Sequence, residues 1–148
     1  MKRINKGLDV PIANPPEQKI YDGPEIRTVA VVGTDYIGLK PTMAVAEGDT
    51  VKRGTLLFTD KKNPGVKFTS PAAGTIQSVN RGDKRAFQSI IIDVEGDDAE
   101  RFKTAGKTDV SALSREEVVE NLVDSGLWAS LRQRPYSKVP AVDSKPNS

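Results

Sequence analysis

The sequence predicts an α+β fold that is mostly β: a small barrel or sandwich of short strands followed by one amphipathic helix. Across residues 27–97, short runs rich in β-branched residues alternate with turn-forming residues, a pattern typical of small all-β barrels and sandwiches. Further along, a helix-capping signature precedes apolar residues at helical spacing between residues 114 and 125.

Residues 1–26 are the least regular part of the predicted fold. Glycine and proline interrupt the segment repeatedly, and Asp22-Gly23 is a favoured tight turn. We therefore expect an N-terminal arm of extended stretches and turns.

The strands of the barrel are predicted from short apolar runs between breakers. Arg27–Val32 is rich in β-branched residues and ends at Gly33, which predicts a buried strand. In the last run, Ile90 and Ile92 are expected to face the core and Ile91 the opposite side, because side chains alternate along a strand. The other predicted strands are Met43–Ala46, Thr50–Val51, Thr55–Thr59, Val66–Thr69, Thr75–Val79 and Ala86–Val94.

Two loops between these strands carry strong turn chemistry. In Asn63-Pro64-Gly65 the proline fixes its own φ and the glycine permits a positive φ. Asn80–Lys84 is predicted to be a charged hairpin loop. It contains Arg81-Gly82-Asp83, a cell-adhesion tripeptide, which we interpret as turn chemistry because the chain has no cysteine and no signal peptide.

The order of strands and turns from Glu47 to Val79 resembles the barrel-sandwich hybrid of lipoyl and biotinyl carrier domains. Those domains display one modified lysine on a hairpin tip, where this chain has Lys61 and Lys62. Asp60-Lys61 matches half of the lipoyl setting, but the longer tip and the missing Met-Lys-Met of biotin carriers depart from it. Lys61 is thus a candidate carrier lysine, and the alternative is a pair of solvated lysines on a turn.

The helix is predicted over Ser114–Ser125. Ser114 and Glu117 form a capping box, and Gly126 suits the position after the last turn. The apolar residues at helical spacing are Val118, Val119, Leu122 and Val123.

The sequence around this helix is more polar. Residues 98–112 are expected to be a linker, a second short helix is expected at Leu127–Leu131, and Pro135–Ser148 is expected to be an extended tail with little to pack. The apolar stripe of the helix must lie either on the barrel or in a domain that continues beyond Ser148, and we prefer the second. The predicted organisation is an arm (1–26), a barrel-sandwich hybrid domain (27–97) and the start of a truncated second domain (98–148).

Composition excludes several kinds of site. The chain has no cysteine and no histidine, which excludes disulfides, Cys-ligated clusters or zinc, and His-based catalysis. A cation site built from oxygens needs several that converge. No spacing gathers the scattered acids near turns, so no metal site is predicted; these acids are Asp9, Asp22, Asp49 and Asp60.

Charge and hydropathy limit the partners. A net charge of +2 over 148 residues gives no strong field for nucleic acid. The first residues do not form a signal peptide, and no segment approaches the roughly 20 apolar residues of a membrane span. Any membrane association is therefore expected to come through partner proteins.

Motifs along nearly the whole chain resemble the N-terminal part of the A subunit of the bacterial sodium-translocating NADH:quinone oxidoreductases. Because many motifs occur in the right order, the resemblance is specific. They are Lys6–Ile12, Tyr21–Pro24, Val45–Val51, Asp60–Gly65, Ser70–Gly74, Asn80–Arg85, Ser125–Trp128 and Leu131–Asp143.

The resemblance implies a role within a membrane complex. Complexes of this family oxidise NADH, reduce ubiquinone and export sodium, and their flavins and iron–sulfur centres belong to other subunits. The A subunit lies on the cytoplasmic side of the inner membrane and has been linked to the quinone end. The resemblance therefore implies a segment without catalytic residues of its own, whose partners are the other subunits.

The resemblance also relates the chain to the flavin-bearing subunit of respiratory complex I, where a glycine-rich stretch wraps the flavin phosphate. Such stretches bind phosphate through bare backbone N–H groups. The comparable stretch here, Gly126–Pro135, has a single glycine, and Trp128 and Leu131 would obstruct a close approach. We therefore predict no flavin and no other cofactor in this segment.

One stretch remains as a candidate binding or docking site. Arginines on structured loops often take bidentate anionic partners. The interpretations left open are an anion or subunit-docking site, part of a ubiquinone site with Trp128, Leu131 and Tyr136 as its apolar wall, or a solvated loop. The candidate residues are Trp128, Arg132, Arg134, Tyr136 and Lys138.

Overall fold

The computed structural model describes residue 7 and residues 13–14, 16–103, 111 and 113–145. Asp9, the motif over Lys6–Ile12 and most of residues 104–112 of the predicted linker lie outside the described residues. Residues 16–26 are exposed and carry no regular secondary structure. The strands are β1 (Thr28–Val32), β2 (Pro41–Met43), β3 (Thr50–Val51), β4 (Leu56–Asp60), β5 (Lys67–Thr69), β6 (Gly74–Arg81) and β7 (Phe87–Val94).

These strands form two antiparallel sheets around one core. One sheet has the order β1-β7-β6-β3 and the other β2-β4-β5. The longest pairing joins β6 to β7, with Ile76 opposite Ile92 and Val79 opposite Ile90. Ile90 and Ile92 are completely buried and Ile91 is half-buried, which confirms the predicted alternation.

Aromatic side chains join the two sheets. Phe58 stacks on Phe68 with 4.6 Å between ring centroids. Phe87 from the larger sheet meets Phe58 edge-on at 5.2 Å, and Tyr36 meets Phe68 edge-on at 4.7 Å. Edge-to-face and offset-stacked rings at these distances add to simple area burial. The aromatic contacts of the core are therefore concentrated on the hairpin of β4 and β5, whose tip carries Lys61.

Two strands differ from the predicted bounds by more than one residue, and the others differ by one residue or none. The strand expected at Met43–Ala46 is β2, Pro41–Met43, because Ala46 already donates its N–H to the Asp49 carboxylate at 2.7 Å and begins the turn. Asn80 and Arg81 belong to β6, not to a loop, so the hairpin loop is displaced to residues 82–86 and turns through Asp83–Arg85.

The predicted helix is confirmed as α1, Arg115–Asp124. The Ser114 side chain accepts the Glu117 N–H at 3.2 Å, and the Glu117 carboxylate accepts the Ser114 N–H at 2.8 Å, which completes the capping box. Gly126, at φ 79°, ends this element, and the short second helix is a 3-10 helix over Leu127–Ser130.

The C-terminal end of α1 lies against the smaller sheet. Lys67 on β5 forms an ion pair with Asp124 at 2.7 Å, and Thr69 donates to the Ser125 carbonyl at 3.0 Å. A cation at this end also favours the helix dipole. The helix thus contacts the barrel at one end, although the sequence favoured a place in a further domain.

The tail packs more than its composition suggests. Val139 and Val142 are half-buried against the hydrophobic core, and the Pro140 carbonyl accepts a hydrogen bond from the Trp128 indole at 2.9 Å. The expectation of a tail with little to pack is therefore wrong for residues 139–142. Two isolated valines give no periodic signal, which is why the sequence did not show it.

Candidate functional site

Trp128 anchors the candidate stretch to the barrel and is not an exposed ligand wall. Its side chain is 5% exposed within the core, and its only polar atom, Nε1, is engaged by the Pro140 carbonyl. A buried tryptophan normally pairs its N–H in this way. Trp128 therefore fixes the position of the residues that follow it.

Arg132 is held by its own neighbourhood. Its guanidinium lies over the Tyr36 ring, 5.0 Å from the centroid, at a distance typical of cation–π pairs. The same group donates to the carbonyls of Ala129 and Leu131. These contacts tie the stretch after the 3-10 helix to the loop that follows β1.

The other three candidates lie on one small hairpin. Gln133 donates its N–H to the Lys138 carbonyl at 2.8 Å, which closes a turn over residues 134–137. Arg134, Tyr136 and Lys138 are all exposed on it, Tyr136 by 69%. We call residues 132–138 the basic hairpin. The contacts of Gln133 and Arg132 hold its backbone in place, and its cations are exposed to solvent.

A shallow depression beside the basic hairpin joins Lys138 to the carrier-like tip. Lys138 and Lys62 line it together, and Tyr36, Leu39 and Phe68 form its apolar part. Its volume is about 310 Å³. Sequence reasoning identified both lysines, but nothing in the sequence indicated that they share one depression.

Leu131 and Tyr136 do not form one wall with Trp128. Leu131 and Trp128 line a cleft beside α1, whereas Tyr136 lines a separate hollow formed with Pro135 and Lys138. The three residues predicted to line one quinone site therefore lie at two separate places. The aromatic residues that share the larger depression with Lys138 are Tyr36 and Phe68.

The tip that carries Lys61 and Lys62 is held on both sides. The Asp60 carboxylate accepts the N–H groups of Lys40 at 3.0 Å and of Lys62 at 2.9 Å. The Asn63 side chain donates to the carbonyls of Val139 and Pro140, at 3.1 Å each. Lys61 is exposed, but it lies on a long loop between β4 and β5 and not on a tight carrier-type hairpin.

Among the described residues, the acids considered as metal ligands do not come together. In the part of the chain that the structure describes, no group of three or more acidic side chains could hold a metal ion. Asp49 and Asp60 instead accept backbone N–H groups in turns. The glycine of the flavin-like stretch, Gly126, has Thr69 pressed against it, since an added Cβ would lie 2.3 Å from the Thr69 hydroxyl.

Two cations that the sequence did not single out lie beside the candidate stretch. Arg115, the first residue of α1, and Lys145 line a cleft of about 680 Å³ together with Arg132 and Arg134. Arg115 donates to the Ser144 carbonyl at 2.9 Å. Arg115 precedes residues 132–138 in the sequence and Lys145 follows them. No sequence pattern links these cations, so only the fold brings them together.

No helix in the described ranges is long and apolar enough to cross a membrane.

Family models match two consecutive parts of the chain. Residues 2–95 match the NqrA N-terminal barrel-sandwich hybrid domain, and residues 113–148 match the NqrA second alpha/beta domain. The first match agrees with the two curled antiparallel sheets. The barrel-sandwich hybrid fold inferred from the sequence is therefore confirmed.

Curated relatives match the chain along its full length. The A subunit of the Na(+)-translocating NADH-quinone reductase of Saccharophagus degradans is 59% identical over 148 residues, covering 100% of this chain and 33% of the relative. The subunits of the same name from Teredinibacter turnerae and Neisseria meningitidis are 58% and 54% identical over 146 residues, again covering 33% of each relative. The chain thus spans about one third of the length of these relatives.

Proposed function

Because the chain belongs to the NqrA family, the A subunits of Na(+)-translocating NADH-quinone reductases, we propose that it is a non-catalytic docking module of such a subunit. The whole complex would oxidise NADH, reduce ubiquinone to ubiquinol and export sodium. Flavins and iron–sulfur centres would lie on other subunits. The module would face the cytoplasm and reach the membrane only through its partners.

The exposed cations of the basic hairpin carry this proposal. Arg134 and Lys138 have no ion-pair partner among the described residues, and they project from a backbone fixed by Trp128 and Arg132. A preorganised surface loses less conformational entropy on association than a flexible one. Arginine is also enriched at the centres of protein interfaces. These features suit recognition of an acidic surface on a partner subunit.

Purification of the complex tests the proposal. In a strain that produces the full-length subunit with a tag, the double variant Arg134→Glu/Lys138→Glu should lose partner subunits when solubilised membranes are fractionated. The matched control is Arg81→Glu/Lys84→Glu, which reverses two exposed cations at the end of the β6–β7 hairpin. Retention of all partner subunits by the first variant, with the control also intact, would refute docking through this hairpin.

A second candidate function is part of a ubiquinone site, and the depression that contains Lys138 favours it. Its apolar part is formed by Tyr36, Leu39 and Phe68, with Lys62 and Lys138 at its polar side. Apolar pockets with a few placed polar groups suit such ligands. This candidate uses Tyr36 where the sequence suggested Trp128 and Tyr136.

Photolabelling separates the two candidates. In the intact complex, a photoreactive quinone should label peptides that contain Tyr36–Leu39 or Lys138–Ala141, and excess ubiquinone should compete. Labelling confined to sequence outside residues 1–148 would reject the quinone candidate and leave the docking proposal untouched.

A further inference from the structure

The cleft beside α1 is a second concave surface, distinct from the depression at Lys138. Its walls are the first two turns of α1, the residues after the 3-10 helix, and Ser144–Lys145. Its apolar part includes Val118, Val119 and Leu131. The cleft therefore offers apolar contact along the helix and the tail at once.

The exposure of α1 shows that this surface lacks cover. An amphipathic helix is stable in a protein because its apolar stripe is buried. No residue of α1 is buried, and Val118 and Val119 are only half-covered. The barrel contacts the opposite, C-terminal end through Lys67 and Thr69. Val119 packs partly against the core, whereas Val118 is outside that cluster and is covered less completely by the barrel.

The positive charge of the cleft indicates what kind of polypeptide segment could bind there. Arg115, Arg132, Arg134 and Lys145 line the cleft, and no acidic side chain in the described part of the chain does. Within the described ranges, none of the four forms an ion pair. Four cations around an apolar surface, without a carboxylate among them, fit an occupant that brings both carboxylates and apolar side chains.

We propose that the occupant is an acidic, amphipathic stretch of the same full-length subunit, from the sequence that follows residue 148. Two observations favour the subunit's own chain over another molecule. The curated relatives are about three times as long as this chain, since it covers 33% of each. Residues 113–148, which form most of the cleft, match a second alpha/beta domain, so the cleft belongs to a domain that more of the chain would complete.

Zero-length cross-linking of the full-length subunit tests this assignment. A carbodiimide joins a lysine amine to a carboxylate only when the two are in contact, and Lys145 is the one lysine that lines the cleft among the described residues. We expect Lys145 to be linked to an aspartate or glutamate beyond residue 148, identified by mass spectrometry. The link should vanish in Lys145→Gln and persist in the control Lys84→Gln, whose lysine is exposed and does not line the cleft.

The same experiment can overturn the proposal. Three results would reject it: links from Lys145 only within residues 1–148, links only to another subunit of the complex, or no link at Lys145 while exposed lysines react. Once the linked acid is known, Lys145→Glu should lower the thermal midpoint of the full-length subunit, and changing that acid to lysine should restore it. Failure of the restoration would show that the two groups do not interact. Arg134 lines this cleft as well as lying on the basic hairpin, so the single variant Lys138→Glu, whose lysine does not line the cleft, tests docking separately by subunit retention.

Discussion

Gly126 shows how one residue links the helix to the barrel. Its φ of 79° is the left-handed conformation that glycine adopts without penalty, and an added Cβ would also lie 2.3 Å from the Thr69 hydroxyl. Gly96 has a similar φ of 73° but open space around it. Comparing the two glycines therefore separates the cost of the left-handed backbone from the cost of a clash with Thr69.

Replacing each glycine by alanine should give different losses of stability. Gly96→Ala should lower the free energy of unfolding by about 1–2 kcal/mol, the cost of the left-handed conformation. Gly126→Ala should lose about 1–3 kcal/mol more, because Thr69 must move and its bond to Ser125 is disturbed. Urea unfolding measures both. Equal losses of unfolding free energy in the two variants would show that the Thr69 side chain moves aside without cost. In a Thr69→Ala background, the additional loss caused by Gly126→Ala should become smaller.

Lys61 is a second residue whose role can be tested directly. Asp60 and Asn63 hold the tip on both sides, and the loop is longer than a carrier hairpin. We therefore expect native protein from its source organism to have the mass of the unmodified sequence at the peptide that contains Lys61. A lipoyl- or biotin-sized addition there would make the tip a transfer arm and contradict this prediction.

At the scale of single residues, the sequence indicated conformations better than contacts. Gly126 was predicted at the end of the helix from its spacing, and the capping pair Ser114 and Glu117 from their types. The partners of Trp128 and Arg132 could not be predicted, because Pro140 and Tyr36 are brought to them only by the fold.

At the scale of elements, the tip between β4 and β5 is tied to the tail by one side chain. The Asn63 amide donates to the carbonyls of Val139 and Pro140 at 3.1 Å each, in a partly buried setting. Asn63→Ala should lower the free energy of unfolding by about 1–3 kcal/mol, since each bond contributes about 0.5–1.5 kcal/mol net. Asn14→Ala, at an exposed position, is the control. Urea unfolding with no difference between the two would show that the tip and tail are not coupled.

The ends of the strands are where prediction from hydrophobic spacing fails. Alternating apolar residues identified β7 well, because Ile90 and Ile92 face one completely buried side. The displacement of β2 came from a side chain: Asp49 captures the Ala46 N–H and starts the turn early. Such local competition between side chain and strand is not visible in hydrophobic spacing.

At the scale of the whole molecule, the two places that the sequence offered for the helix are not exclusive. The helix was expected either on the barrel or in a further domain. Its C-terminal end contacts β5 through Lys67 and Asp124, while its first turns leave Val118 and Val119 half-covered. Apolar periodicity shows that a helix needs cover, but it cannot show how many surfaces supply it.

The barrel and the segment after α1 should unfold as one cooperative unit. Trp128 and Ala129 belong to the same buried cluster as Phe58, Phe68 and Ile90, so the 3-10 helix cannot leave without exposing the barrel core. Trp128 is the only tryptophan, so its fluorescence reports on this contact alone. Because small single cores usually unfold in one step, its transition in urea should coincide with that of far-UV circular dichroism. A fluorescence midpoint at clearly lower urea would show that the segment is a separate unit that only rests on the barrel.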